Sequence, residues 1–309
     1  MSFPTVIGFK DEPVKRTLNQ DGRSGGCQFR QLQLSSVADL EISNSSSGVP
    51  VTFIQAALLG LVQGLSEFLP ISSSGHLVLG QALLEIDTGD ITFEVIVHFG
   101  TLLAVVTALR DRVWQLGLGC WRRDVGAWRM VMYLGIGTIP AGVVGLLFED
   151  ALEATFSSPT AASVWLIFTG VVLWSTRFRQ GVRKEIGLVD AVLIGMAQCF
   201  AILPGVSRSG MTISAGLWRK VDGGEAATFS LLLSIPIIAG ATILKVSEMA
   251  SNPLVAEVLV HLVVGMVVAY LSGFFAIRWL LKLLQGSRLD RFAYYCWLVG
   301  LAGIAYFWR

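Results

Sequence analysis

The sequence predicts an all-α polytopic membrane protein with an inverted-topology repeat, each half a broken re-entrant helical hairpin followed by three transmembrane helices. Three observations predict this. Of the 309 residues 53% are apolar and only 15% are charged, against roughly 45–50% and about 25% in soluble domains. From residue 51 onward apolar runs of roughly 18 residues or more recur to the C-terminus, each able to cross a hydrocarbon core about 30 Å thick. Two of the apolar segments are interrupted at their centres by Pro, Gly and Ser, and these two resemble one another.

Residues 1–50 are polar, contain "SNSSSG" and lack the basic-then-apolar pattern of a signal peptide. A disordered tail is expected there; the alternative expectation is a natural start near Val51, the tail being an over-extended reading frame. Residues 51–309 form a single integral membrane domain with halves at about 51–176 and 188–309. The first half opens with the interrupted segment 53–84 and continues with spans at about 93–109, 130–148 and 160–176. The second opens with the interrupted segment 188–217 and continues with spans at about 226–246, 258–280 and 292–308. A helix broken inside a bilayer is tolerated only where protein or a wet cavity surrounds the loosened backbone, so both interruptions belong in the interior.

The interrupted segments superpose with an offset of 135 residues, pairing Gly60 with Gly195, Gln63 with Gln198, Ser72 with Ser207, Ser74 with Ser209 and Gly75 with Gly210. Nearly in register, "FEVIVHFGTLLAV" from Phe93 parallels "FSLLLSIPIIAGA" from Phe229. Weak internal symmetry of this kind is how inverted membrane repeats show themselves.

Charge gives the orientation. If both interrupted segments are re-entrant, the connections alternate. Glu85, Asp87 and Asp90 are followed by Arg110, Arg112, Arg122, Arg123 and Arg129. Glu149, Asp150 and Glu153 are followed by Arg177, Arg179, Arg183 and Lys184, with Arg219, Lys220, Lys282, Arg288 and Arg291 on the same basic side. Lys245 is the exception on the acidic side. Basic loops face the cytoplasm, so the first hairpin enters from outside, the second from inside, and the two tips meet near mid-membrane. The net charge of +1 suggests no polyanion-binding surface and no nucleic-acid partner. Cys27, Cys120, Cys199 and Cys296 show no CxxC spacing and read as free, buried or incidental.

The residues that carry chemistry gather in the interruptions. Gln63 and Glu67 lie one turn apart on one helical face, and a carboxylate within a membrane marks a functional site by default. Pro70 ends that half-helix. Ser72, Ser73, Ser74 and Gly75 then place hydroxyls and backbone N–H groups at the start of the next, where the helix dipole favours an anion. His76 is near enough to take a proton from a serine hydroxyl, the base-plus-nucleophile pairing of covalent phosphoryl or acyl transfer; packing is its alternative role. In "PGVSRSGMT", Arg208 needs an anion at that depth. Its planar fork suits two phosphate oxygens, with Ser207, Ser209 and Thr212 as further donors, and a structural ion pair with Glu67 is the other way to satisfy it. His98 reads as packing, and no role is assigned to His261. Trp128, Tyr133, Trp297 and Trp308 read as interface residues.

"QGLSEFLPISSSGH" and "PGVSRSGMT", in that order, resemble the two signature regions of the BacA-type undecaprenyl-diphosphate phosphatases, the integral membrane enzymes linked to bacitracin resistance. The resemblance covers roughly residues 51–309. It implies hydrolysis of undecaprenyl diphosphate to undecaprenyl phosphate and inorganic phosphate, which recycles the lipid carrier of peptidoglycan precursors in the bacterial plasma membrane. It also implies a divalent cation, Mg2+ or Ca2+, as cofactor. The positions matching the family's active site are Gln63, Glu67, Ser73, His76, Ser207, Arg208, Ser209 and Thr212. Position 63 departs from members with Glu there; a neutral amide ligates a metal weakly and cannot act as a base, which leaves Glu67 as the metal or base carboxylate.

The expected mechanism has Ser73 attack the terminal phosphorus after activation by His76, with Glu67 and Gln63 toward the metal. Arg208, Ser72, Ser74, Gly75, Ser207, Ser209 and Thr212 hold the diphosphate. Direct attack by water is its rival. The expected partners are the polyprenyl diphosphate lipid and the bilayer itself, with a homodimer left open, and the site is expected to open to the outer, periplasmic face. A transporter of undecaprenyl phosphate between leaflets is the competing class, because broken helices meeting at mid-membrane are also a carrier architecture. A proton-coupled channel is weaker, since it calls for more ionisable groups along the spans.

Overall fold

Local sequence explains where the helices stop. In the computed structural model, which describes residues 52–84, 92–148, 155, 157–179, 181–249, 256–284 and 288–308, helix α1 (Phe53–Phe68) starts at a capping box made by Thr52 and Gln55. It ends because Leu69 precedes Pro70 and is pushed to an extended conformation at φ −67, ψ 145. After the turn comes α2 (Ser73–Leu83), and then α3 (Thr92–Ala108), α4 (Arg110–Trp121), α5 (Val125–Leu147) and α6 (Pro159–Ser175). The second interrupted segment forms α7 (Leu188–Phe200) and α8 (Arg208–Trp218), followed by α9 (Gly223–Met249), α10 (Ala256–Leu284) and α11 (Arg291–Phe307). No β-strand occurs among the described residues, so the protein is all-α.

Among the described residues four helical stretches are long and apolar enough to cross a membrane: Val125–Leu147, Pro159–Phe178, Gly223–Ile243 and Leu259–Leu284. Helices α3 and α11 have 17 residues each, about 26 Å at a 1.5 Å rise. Large apolar side chains such as Ile139, Leu147, Leu298 and Leu301 stand exposed on the outer faces, while Gln63, Glu67, Ser207, Ser209, Thr212 and Ser230 are buried. That distribution, apolar outside and polar within, is the one lipid selects. The protein is a multi-pass membrane protein.

The predicted spans coincide with helices, but the connection 110–129 is not a plain loop. Its first part is α4, which leaves α3 at 76°. Val113 and Leu116 pack into the cluster around Leu102, Val105 and Leu109, while Trp114 and Trp121 stay exposed. The two-faced pattern of "RDRVWQLGLGCW" thus makes a helix too polar to span and apolar enough on one side to stay attached. The acidic connections that carry Glu85, Asp87, Asp90, Glu149, Asp150 and Glu153 lie outside the described residues, as does the tail 1–50.

Packing pairs off between the halves. Helix α1 lies along α10 and α7 along α5; α3 meets α10 and α5 meets α9. Glycines permit both close crossings: Gly60 abuts the backbone of Gly265, and a Cβ on Gly195 would stand 2.8 Å from the Cα of Gly137. Small residues at such crossings let helices approach to backbone contact, and Gly60 and Gly195 are one of the pairs in the repeat. At the base of the second hairpin, the buried Asp190 carboxylate accepts from Arg183 at 3.0 Å and from Arg219 at 2.9 Å. This ties the chain entering α7 to the chain leaving α8.

Candidate active site

Each hairpin tip is closed by a serine cap. Ser72 Oγ accepts from Gly75 N–H at 3.2 Å and Ser207 Oγ from Gly210 N–H at 3.0 Å, satisfying one of the unpaired donors at the start of α2 and α8. The neighbouring hydroxyls repeat the pattern, Ser72 to Ser74 at 3.4 Å and Ser207 to Ser209 at 3.2 Å. Ser72 holds a left-handed φ of 69, a conformation that costs a non-glycine residue of order 1–3 kcal/mol and persists where the surroundings demand it.

The tips touch. Ser209 Oγ donates to the Leu69 carbonyl at 3.0 Å, and a Cβ on Gly75 would stand 2.8 Å from the Gly205 Cα. Thr169 on α6 holds the second tip, donating to the Gly205 carbonyl at 2.8 Å and accepting from Ser207 N–H at 3.1 Å.

At the junction lies Glu67, 8% exposed. Its Oε1 accepts from Arg208 Nη2 at 2.5 Å. Its Oε2 accepts from Ser73 Oγ at 2.6 Å and from Gln63 Nε2 at 3.1 Å, and His98 Nε2 lies 3.5 Å away. Arg208 also donates to the Ser230 carbonyl at 3.4 Å, and Thr212 Oγ1 lies 2.6 Å from Ser230 Oγ. One carboxylate therefore collects groups from α1, α2, α3 and α8. A buried ion pair needs hydrogen bonds of this kind to offset the desolvation of both charges.

The structure brings together Gln63, Glu67, Ser73 and Arg208. Ser72, Gly75, Ser207, Ser209 and Thr212 are buried and occupied in the caps and tip contacts. Ser73, Ser74 and Arg208 are part-exposed. The structure does not bring His76 onto Ser73. His76 Nδ1 donates to the Ser72 carbonyl at 2.8 Å, and Nε2 meets the Tyr295 hydroxyl at 2.9 Å. The two rings are nearly parallel, 8° apart with centroids 5.6 Å apart. The helical turn directs the imidazole back over Ser72, and the Ser73 proton points at Glu67 instead.

Two residues at the site escaped sequence reasoning. His98, for which the sequence suggests packing, faces the carboxylate; its signal is an ionisable side chain within an apolar span. Tyr295 lies 219 positions from His76, and nothing local marks it.

Among the described residues no group of three or more His, Cys, Asp or Glu gathers. The test of fit for a divalent cation falls on Gln63. Its Oε1 is buried without a hydrogen-bond partner, on the same amide whose nitrogen touches Glu67. An unpaired amide oxygen beside a carboxylate fits a hard cation that keeps one or two protein ligands and takes the rest from phosphate and water.

Residues 56–302 match the family profile described as "Bacitracin resistance protein BacA". A protein of Halothermothrix orenii named undecaprenyl-diphosphatase is 42% identical over 246 residues, covering 79% of this chain and 93% of the relative. Proteins of the same name from Salinibacter ruber and Carboxydothermus hydrogenoformans are 40% and 39% identical, covering 82% and 80% of this chain and 99% and 94% of theirs. With that match running from within the first hairpin into the last span, the chain belongs to the BacA family.

Proposed function

We propose that this protein is an undecaprenyl-diphosphatase, a phosphoric anhydride hydrolase that converts undecaprenyl diphosphate to undecaprenyl phosphate and inorganic phosphate. In the cell this recycles the lipid carrier of peptidoglycan synthesis and confers bacitracin resistance. One observation carries the reading: Ser73 and Arg208, from opposite hairpins, share the buried carboxylate of Glu67. A nucleophile, its base and a phosphate-matching cation thus stand within one hydrogen-bonded group. The names of the relatives support the substrate class.

On binding, the diphosphate draws Arg208 from Glu67, because a guanidinium pairs bidentately with phosphate oxygens. The Ser73 hydroxyl attacks the terminal phosphorus in line as Glu67 Oε2 takes its proton. The bond from phosphorus to the bridging oxygen breaks, and undecaprenyl phosphate leaves. Water then attacks the phosphoserine, releasing inorganic phosphate and restoring Ser73. Glu67 and Gln63 would hold a divalent cation, Mg2+ or Ca2+, whose chemistry is to neutralise charge developing on phosphate oxygens. Ser72, Ser74, Gly75, Ser207, Ser209 and Thr212 shape the two tips around the phosphates.

His76, kept in its Nδ1–H form by the Ser72 carbonyl, presents Nε2 through Tyr295 and serves the water step. The two halves are a repeat with opposed orientation, as the paired caps and crossings support. The basic residues around α4, together with Arg183 and Arg219, mark the cytoplasmic side, so the site opens to the periplasmic face. Residues 51–309 are the proposed catalytic unit.

The test is phosphate release from undecaprenyl diphosphate by detergent-purified protein, with Mg2+ or with EDTA. Metal-dependent release, lost in Ser73→Ala and in Arg208→Ala, is the expected result. Lipid binding without phosphate release would overturn the enzyme reading in favour of a carrier.

A further inference from the structure

His98 is poised like a metal ligand. Its Nδ1 lies 2.6 Å from the Glu94 backbone carbonyl. A carbonyl oxygen only accepts, so Nδ1 bears the proton and Nε2 of the neutral ring presents a lone pair. That lone pair faces Glu67 Oε2 at 3.5 Å, itself an acceptor. Two acceptors face one another, and something positive belongs between them. Metal-ligating histidines as a rule donate their other ring N–H to a carbonyl or carboxylate, which is the arrangement of His98 on Glu94.

Two positive occupants satisfy the pair, a proton on Nε2 or a metal ion, and Gln63 separates them. Its buried Oε1 has no partner, and a proton on His98 leaves it unsatisfied. A half-turn of the Gln63 amide exchanges its two ends and sets the oxygen where the nitrogen stands, 3.1 Å from Glu67 Oε2, so that two acceptors meet there as well and a cation beside Glu67 satisfies both. The spacing also fits: ligands about 2.1 Å from a common ion stand about 3.0–3.5 Å apart across an angle of about 90–115°.

We infer that His98 Nε2, Glu67 Oε2 and the Gln63 amide oxygen form a mixed nitrogen–oxygen cation site that favours Mn2+ over Mg2+ and Ca2+. Imidazole suits transition metals, whereas Mg2+ and Ca2+ take oxygen ligands. In this chain the histidine supplies a strong ligand where position 63 offers only a neutral amide. The inference rests on the proposed phosphatase reading for the purpose of the cation, but the site belongs to the substrate-free protein.

The experiment is accordingly made without substrate. Protein purified without a histidine tag is loaded with Mn2+ in detergent, and electron spin echo modulation is recorded with natural and with 15N-histidine. Directly bound 14N that changes to the 15N pattern on labelling is the expected result. In parallel, titrations of Mn2+ and Mg2+ compare wild type with His98→Gln; a loss of at least tenfold in Mn2+ affinity, with Mg2+ affinity changed less than threefold, is expected. Absence of nitrogen coupling in the wild type, no saturable Mn2+ binding, or an unchanged Mn2+ to Mg2+ ratio in His98→Gln would overturn the inference. The wild-type spectrum needs no variant to fold, and a protein that binds Mn2+ through nitrogen yet releases no phosphate would refute only the phosphatase reading.

Discussion

Replacing Arg208 with Ala leaves Glu67 buried at 8% exposure with its Oε1 stripped of its donor. Breaking a buried ion pair from one side costs about 3–5 kcal/mol, because the remaining charge stays desolvated and unpaired. The neighbouring donors, Ser73 and Gln63, both serve Oε2 and do not replace the guanidinium. At about 2–4 °C per kcal/mol for a domain of this order, the melting temperature in detergent should fall by about 10 °C. Glu67→Gln combined with Arg208→Met removes both charges and should recover most of that loss, since a neutral pair of similar volume carries little desolvation cost. Phosphate release should be lost in both proteins. The assay is a thermal melt followed by tryptophan fluorescence, run beside phosphate release, and the coupling comes from the double-mutant cycle. If Arg208→Ala melts with the wild type while losing activity, the guanidinium does not neutralise Glu67 in the resting protein, and the idea of an ion pair surrendered to substrate fails.

Ser73→Ala deletes the proposed nucleophile and only one hydrogen bond to Glu67. It should keep its melting temperature within about 3 °C and lose phosphate release by at least a hundredfold, and phosphoserine should be trapped by rapid acid quench of the wild type but not of the variant. Gly75→Ala places a methyl against the Gly205 backbone, where nothing flexible can yield. Overpacking of this kind costs about 1–3 kcal/mol, and a melt should show that loss together with a fall in activity from separated tips; an unchanged melt would mean that the tips are not in contact. Tyr295→Phe removes the hydroxyl from His76 Nε2. At about 0.5–1.5 kcal/mol for such a bond, kcat should fall by about two- to twelvefold with KM unmoved, and an unaltered kcat would remove Tyr295 from the water step. A cysteine placed on the exposed face of α4, such as Trp121→Cys, should react with membrane-impermeant maleimide only from the cytoplasmic side; labelling in intact cells would reverse the orientation drawn from charge.

The sequence alone determined the class of fold, the positions of the spans and the breaks, and which polar residues gather at the tips. These are local properties: apolar length, a proline that forces Leu69 out of the helix, serines that cap. The pairing of Ser72 with Ser207 and of Gly75 with Gly210 was legible because the same cap must be built twice. What the sequence left open was which group each side chain faces. Glu67 and Arg208 are separated by 141 positions, and only packing of α1 on α10 and α7 on α5 brings them together. The tertiary structure decided that the Ser73 hydroxyl donates its hydrogen bond to Glu67 rather than to His76. The left-handed turn at Ser72 sets the serine toward α1, while the next turn of helix carries the imidazole to Tyr295. It also moved His98 from packing to the site. A side chain's partner depends on elements that meet only in the folded protein, whereas helix length, breaks and caps are fixed within a few residues of chain.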